Sequence, residues 1–319
     1  MAVIALDLGG TKLAGAIFSS QGTMVCRAQT ALAGRRGTGV AALVRQEVVR
    51  LLEVAGARRM KISAIGVSVP GISFSKTGRV WAPNIPGWTR YPLRRELESL
   101  VRGRRLRVAI QNDRACSILG EAWRGAARGR RHAIFLAVGT GIGAGILSDG
   151  QVLRGAHDIA GSLGWLALQR PFRRKYRGCG CFEYHASGQG LAKVAHELRA
   201  QLPPRFHPRG RRKPAREWAG ADVFAAYERK DPLARAVLRQ AVEFWGMAVA
   251  NLVSLFNPEL IIFGGGVFGP ATRFLADIYA AANHWAQPIA IQQVRLLPSK
   301  LGGDAALYGA ARLALQASK

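Results

Sequence analysis

Three places in this chain have residue types and spacing suited to phosphate chemistry, and each is an apolar run delivered into glycine. In the first, Val3-Ile4-Ala5-Leu6 leads into Asp7-Leu8-Gly9-Gly10-Thr11-Lys12. Glycine lets backbone N–H groups approach phosphate oxygens with no side chain in the way. Asp7 can orient Mg²⁺, directly or through water, while Thr11 and Lys12 can contact phosphate themselves. In the second, the run at 133–138 enters Gly139-Thr140-Gly141-Ile142-Gly143-Ala144-Gly145 and returns through Ser148-Asp149-Gly150. In the third, Leu260-Ile261-Ile262-Phe263 enters Gly264-Gly265-Gly266. A lone strand–Gly-Gly junction is an ordinary hairpin turn. Three of them spread over the chain point to one nucleotide held between two lobes. The second junction matches a dinucleotide fingerprint only superficially, because its glycines sit inside a hairpin and do not open a helix. A candidate acid–base residue, Asp113, follows Gln111-Asn112 at the end of an apolar strand. Asn-Asp is a common turn or helix-cap pair.

The elements that must position these residues alternate. Strands are expected at 2–6, 13–18 and 23–29, a helix at 40–55, a strand at 62–69, a loop at 70–89, a helix at 92–101 and a strand at 106–110. Leu43, Val44, Val48, Leu51 and Leu52 recur at helical spacing in the first of those helices. A helix from 113 to 125 leads to strands at 133–138 and 143–148, then helices at 188–201, 220–228 and 233–256. A strand at 260–263, a helix at 270–285, a strand at 291–297 and a helix at 304–317 complete the chain. The pattern reads as α/β, with mixed sheets flanked by helices. It is expected to divide into an N-terminal lobe of 1–118, joined by the C-terminal helix 304–319, and a second lobe of 119–303. Both halves place a strand–glycine hairpin first and helices later, which looks like an internal duplication.

Lys and Arg number 46 against 19 Asp and Glu, for a net charge of +27. The cations cluster at 124–131, at 170–177 and in a proline-rich run within 203–216, which reads as an exposed insertion. None of these runs carries a helix-turn-helix, zinc-finger or RNA-stacking pattern. They are expected to be solvated surface, with no specific nucleic-acid partner. No apolar run has membrane-spanning length, and Asp7 interrupts the N-terminal apolar run, so neither a membrane span nor a signal peptide is expected. Four cysteines do not make a disulfide framework at this length, which suits a reduced, cytoplasmic protein.

With these segments located, the chain resembles the ROK family of repressors and sugar kinases, within the actin-like ATPase superfamily. The resemblance rests on Asp7-Leu8-Gly9-Gly10-Thr11-Lys12, Gly66-Val67-Ser68-Val69-Pro70-Gly71, Asn84-Ile85-Pro86-Gly87-Trp88 and Gln111-Asn112-Asp113. It continues through Gly139 to Gly145, Gly155 to Gly161, Cys181-Phe182-Glu183, and Asn257-Pro258-Glu259 before Gly264-Gly265-Gly266. It implies a two-lobed kinase with a five-stranded mixed sheet in each lobe, ATP and Mg²⁺ as cofactors, and a small sugar or polyol as substrate. A homodimer is expected. Asp113 matches the catalytic base. Gly71, Asn84 and Asn112 match sugar-contacting positions, and Glu183 matches an acid that accepts a sugar hydroxyl. Gly139, Thr140 and Gly141 match a second phosphate loop, and Gly264 to Gly266 an adenosine loop.

The departures concern the sugar and a structural zinc. Where the family usually has Glu-x-Gly-His, this chain has Ser162-Leu163-Gly164-Trp165. Two cysteine positions of the family's zinc site fall on Arg174 and Tyr176, and Cys179 is out of register. Two thiols two residues apart do not make a four-ligand site, so zinc is expected to be absent. His185 is expected on the helix-entry face as an ordinary polar residue. Trp165 either stacks on a less polar sugar edge or fills the volume left by zinc, and His157 and Asp158 are candidate replacement contacts to the sugar. The leading function is ATP-dependent phosphorylation of a hydroxyl on a small sugar or polyol. A ROK-type regulator, weakened by a chain that starts at the phosphate loop, and a sugar-sensing pseudokinase are the alternatives.

Overall fold

The computed structural model describes residues 1–201 and 218–318; the 203–216 run lies outside them. These residues form two compact units. One comprises Met1–Arg131, Gly145–Gly161 and the segment from Ser299, and the other His132–Ala144 and Ser162–Pro298.

The first unit is built on β1 (Ala2–Leu8), β2 (Lys12–Ser19), β3 (Met24–Ala31), α1 (Gly37–Ala57), β4 (Ile62–Val69), the hairpin β5 (Ile72–Phe74) and β6 (Arg79–Trp81), α2 (Leu93–Leu100), β7 (Arg107–Asn112) and α3 (Asp113–Arg124). Its sheet has the order β3-β2-β1-β4-β7. β1 runs antiparallel to β2 and parallel to β4, which is in turn parallel to β7. The two-residue side-chain period of a strand splits β1 between two cores. Ile4, Leu6 and Leu8 pack with α1 and α2, whereas Val3 and Ala5 face the C-terminal helix through Leu307, Ala310, Ala311 and Ala314. Asp7 shares the second face by the same alternation. α3 lies close against that C-terminal helix because glycines meet backbone there. A Cβ on Gly309 would come within 1.7 Å of the Cys116 carbonyl oxygen, and one on Gly120 within 2.1 Å of that of Ala305. Phe18, Trp123 and Tyr308 close the same face, Tyr308 meeting each of the other rings edge to face and Phe18 tilted against Trp123.

The second sheet uses β8 (Ala133–Val138), β9 (Ile142–Ser148) and β10 (Gln151–Val152), then, after α4 (Cys181–Ala186), α5 (Gly188–Ala200), α6 (Gly220–Glu228) and α7 (Pro232–Phe256), β11 (Leu260–Gly264). α8 (Leu275–Asn283), α9 (Pro288–Ile291), β12 (Arg295–Pro298) and α10 (Ala305–Ala317) follow. The order is β10-β9-β8-β11-β12. α7 is the long apolar helix of the second unit. Asp231 caps it through Leu233 N and Ala234 N, Pro232 opens it, and Asn257 ends it in the left-handed region at φ 40°. Both sheets are mixed and five-stranded, as the resemblance implied.

Three expected elements differ, the first being the loop expected at 70–89, which carries the hairpin β5–β6. The helix expected at 270–285 begins as a 3-10 turn, Pro270–Phe274, before α8. The strand expected at 291–297 begins only at Arg295, because Pro288 and a Gln287 cap on Ala290 N start the short helix α9. Among the described residues no helix is long and apolar enough to cross a membrane.

Candidate functional site

Parallel pairing brings three strand ends of the first unit level. Asp7 of β1 is in register with Ser68 of β4, and Ser68 with Gln111 of β7. In open α/β sheets the carboxyl ends of parallel strands are where ligands bind. The Asp113 backbone continues from there. Asn112 Oδ1 accepts from Ala115 N at 2.9 Å, capping α3. Asp113 is therefore the first residue of that helix, where the unpaired N–H groups favour a negative charge. Gln111 Oε1 accepts from Asn112 N at 2.9 Å and holds the cap in place. The Asp113 side chain keeps 45% of its surface open.

Electrostatics separate the two acids from ordinary surface carboxylates. Burial pushes the Asp7 carboxyl up to about 6, and the nearby Asp113 adds to this, while Ser68 and Lys12 pull it down. The Asp113 carboxyl is also raised, by the protein that shields it, and the Arg114 guanidinium opposes that rise. Ser68 favours the charged form of Asp7, yet among the described residues its fully buried hydroxyl has no partner of normal hydrogen-bond geometry. A part-buried carboxylate that makes no ion pair among the described residues, beside an unsatisfied hydroxyl, is a set of hard oxygen donors, and that chemistry fits Mg²⁺.

The first glycine junction is a tight β1–β2 hairpin. Gly9 N donates to Lys12 O at 2.9 Å, leaving Gly10, Thr11 and Lys12 exposed. Asn84, exposed on the loop after β6, sits over this turn, because a Cβ on Gly10 would meet Asn84 Cβ at 3.3 Å. Gly71, at φ +80°, directly follows β4 and Pro70. Thus Asp7, Gly9–Lys12, Gly71, Asn84, Asn112 and Asp113 all belong to the first unit. His157 is exposed there too. Asp158 is not free for a sugar: its Oδ2 accepts from Ser75 N at 2.9 Å and from Ser75 Oγ at 3.0 Å.

The remaining site residues belong to the second unit. Gly139 N donates to Gly141 O at 2.9 Å, and Gly139 O accepts from Gly188 N at 2.8 Å, which sets the Gly139-Thr140-Gly141 loop against the start of α5. Glu183, in the first turn of α4, underpins that loop. Its Oε2 accepts from Ile142 N at 2.7 Å, and a Cβ on Gly141 would lie 2.6 Å from the same oxygen. Gly264 ends β11, and Gly265, at φ +87°, lies against the Val138 carbonyl. Gly266 opens a 3-10 turn.

Two expectations about 162–186 are overturned. Trp165 does not fill a vacated core, since it is 59% exposed. His185 is not an ordinary polar residue on the helix-entry face. It is 4% exposed in the last turn of α4, stacked on Phe244 at 4.4 Å. The buried residue here is Tyr176, 3% exposed and bonded through its hydroxyl to His185 Nε2 at 2.9 Å. Among the described residues no three His, Cys, Asp or Glu side chains are grouped to hold a metal. Sequence reasoning also passed over Ser68, Arg114 and Cys116. The last is buried on α3 with its thiol pKa pushed well up by that burial and then by Asp7 and Asp113. An arginine immediately after a candidate base was the one signal available.

With this geometry described, comparison with known proteins defines the class. The ROK family model matches residues 3–317, and the chain belongs to that family. It is 29% identical to a glucokinase of Halalkalibacterium halodurans, covering 98% of this chain and 94% of that protein. A Streptomyces griseus ROK glucokinase, solved in complex with glucose and AMPPNP, superposes with a TM-score of 0.77 at 28% identity, over 99% of this chain and 100% of that one. A ROK transcriptional regulator homologous to the E. coli MLC protein superposes at 0.84 with 26% identity, over 99% of this chain and 78% of that one. The α/β fold is that of the actin-like ATPases, as the resemblance implied.

Proposed function

We propose that this chain is an ATP-dependent carbohydrate kinase that phosphorylates a hydroxyl of a small sugar or sugar-like polyol, with Asp113 as general base. The observation that carries the reading is Asp113 itself, a half-open carboxylate at a capped helix start, two residues past Gln111, which is in register with Ser68 beside the part-buried Asp7. In this reading Asp113 takes the proton of the attacking hydroxyl, whose oxygen bonds to the γ-phosphorus as the bond to the ADP oxygen breaks. Asp7, with Ser68 beside it, would hold Mg²⁺, which when bound neutralises charge on the phosphates. Gly9, Gly10, Thr11 and Lys12, with Gly139, Thr140 and Gly141, cradle phosphate, and Gly264, Gly265 and Gly266 take the adenosine. Gly71, Asn84, Asn112, Glu183, His157 and Trp165 address the sugar.

Glucokinases among the relatives support a hexose. Trp165 in place of the usual histidine supports altered recognition at one end of that sugar. The donor set at 162–186 does not suit zinc. Trp165 is exposed, Arg174 is exposed, and Tyr176 is turned into a ring cluster.

The test is ADP release with ATP across glucose, mannose, fructose, their amino and N-acetyl forms, deoxy sugars and cyclitols. Asp113→Asn keeps the shape and removes the basic oxygen, and it should cost about 10²–10⁴-fold in turnover. A folded variant with near-parental turnover overturns the base assignment. Sugar binding with no ADP release by the parent chain would favour the regulator reading, which the likeness to the MLC homologue keeps in view.

A further inference from the structure

Arg114 follows the proposed base, and its side chain is only 16% exposed. Its guanidinium meets three different parts of the first unit. Nη2 donates to the Gly71 carbonyl at 3.2 Å, and Nη1 makes a longer contact to the Gly161 carbonyl at 3.5 Å. Nε stands 3.7 Å from Asp113 Oδ1. The two carbonyls belong to loops with little freedom of their own. A Cβ on Gly71 would lie 2.1 Å from the Trp81 carbonyl oxygen, so that turn is tied to the β5–β6 hairpin. The loop ending at Gly161 is tied to the same hairpin through Asp158 and Ser75. A planar fork with several fixed donors can join two carbonyls and a carboxylate at once, which a lysine ammonium on a flexible stem does not reproduce.

We propose that Arg114 is a positioning residue of the phosphotransfer site, its single guanidinium holding the Gly71 and Gly161 loops in place against the Asp113 carboxylate. The inference rests on the kinase reading and on Asp113 as its base. Two consequences follow from the geometry. The loops set where the sugar sits, so loss of the fork should weaken sugar binding. The cation favours the charged form of Asp113, so its loss should move the acid limb of kcat/KM to higher pH. The other groups acting in this neighbourhood are Asp7 and Cys116, with Lys12, Arg154 and Asp304 acting on those two. All of them are unchanged in the variants.

Arg114→Ala, Arg114→Lys and Asp113→Asn are compared using ATP and the sugar of the panel that the parent chain turns over fastest. Arg114→Ala is expected to raise the sugar KM on the order of 10-fold or more and to shift the acid limb upward. Arg114→Lys keeps the charge, so its acid limb should stay near the parental one while its KM remains raised. Hydrogen exchange in 71–81 and 155–161 should speed up in both variants. If Arg114→Ala does not fold, the split between KM and pH limb in Arg114→Lys carries the test. An inactive Asp113→Asn beside Arg114 variants with parental KM and acid limb sinks this inference alone. Full turnover by Asp113→Asn sinks the reading beneath it.

Discussion

The strand ends of the first unit and the α4–α5 region of the second treat polar groups in opposite ways. At the strand ends of the first unit, among the described residues, the part-buried Asp7 makes no ion pair and Ser68 Oγ lacks a partner of normal geometry. Asp113 stands half open beside them. Around α4 and α5 of the second unit, polar tips find each other. Tyr176 donates to Gln169 Oε1 at 3.0 Å, and His185 shares a 2.9 Å bond with Tyr176 and a 3.2 Å bond with Gln240 Nε2. This set is self-consistent with the proton on Nε2 of a neutral imidazole. Tyr184 donates to Glu197, which Lys175 also grips through both carboxylate oxygens. Buried polarity that satisfies itself stabilises a fold, whereas polarity left short of partners costs stability and is available to a ligand. The contrast separates a structural cluster from the proposed phosphotransfer site although both are rich in titratable groups.

The largest expected effect on stability comes from opening the satisfied cluster. His185→Ala removes a stacked ring and strands the Tyr176 hydroxyl and the Gln240 amide, at a cost of about 2–4 kcal/mol. The pH dependence has a definite sign. Burial, with Lys175 and Arg173 nearby, lowers the imidazole pKa to about 4 in the fold, against about 6.5 unfolded. The unfolded chain therefore binds the extra proton between those values, and stability falls as pH drops through that window. Denaturant titrations at pH 7 and 5 should show this loss in the parent and a smaller one in His185→Ala. Equal losses would break the comparison.

A smaller effect of opposite sign is expected at the strand ends. Asp7 has its folded pKa raised, so the fold binds the extra proton and the cost of the buried charge is fully present above about pH 6. In metal-free buffer at pH 7.5, Asp7→Asn should gain about 1–3 kcal/mol while losing kinase turnover. The gain should shrink as pH falls from 6 toward 4 and the parental acid protonates. A variant less stable than the parent at pH 7.5 would show that Asp7 is structurally satisfied after all.

The smallest expected effect is none. Dialysis against a chelator should leave the thermal unfolding midpoint unchanged, because the ring and hydrogen-bond cluster around Tyr176 and His185 supplies the order that zinc would otherwise provide. One tightly held zinc per purified chain would overturn this.

What the sequence by itself determined lies in local rules. Apolar runs marked the strands, glycines marked three strand ends, and Asn112 before Asp113 matched a helix-cap pair. The apolar residues that suggested a strand from 291 were outweighed by the Gln287 cap and Pro288, which start a short helix instead. Tertiary structure decided which distant residues meet. Asp7 and Ser68 are level only because β1 and β4 pair in parallel with that register. Arg114 reaches carbonyls 43 and 47 residues away, and Asp158 is held by a serine 83 residues away. Nothing local separates His185, buried against Phe244 of α7, from an exposed histidine on a short helix. Side-chain burial and hydrogen-bond partnership depend on what packs opposite, and a period or a motif carries no information about that partner.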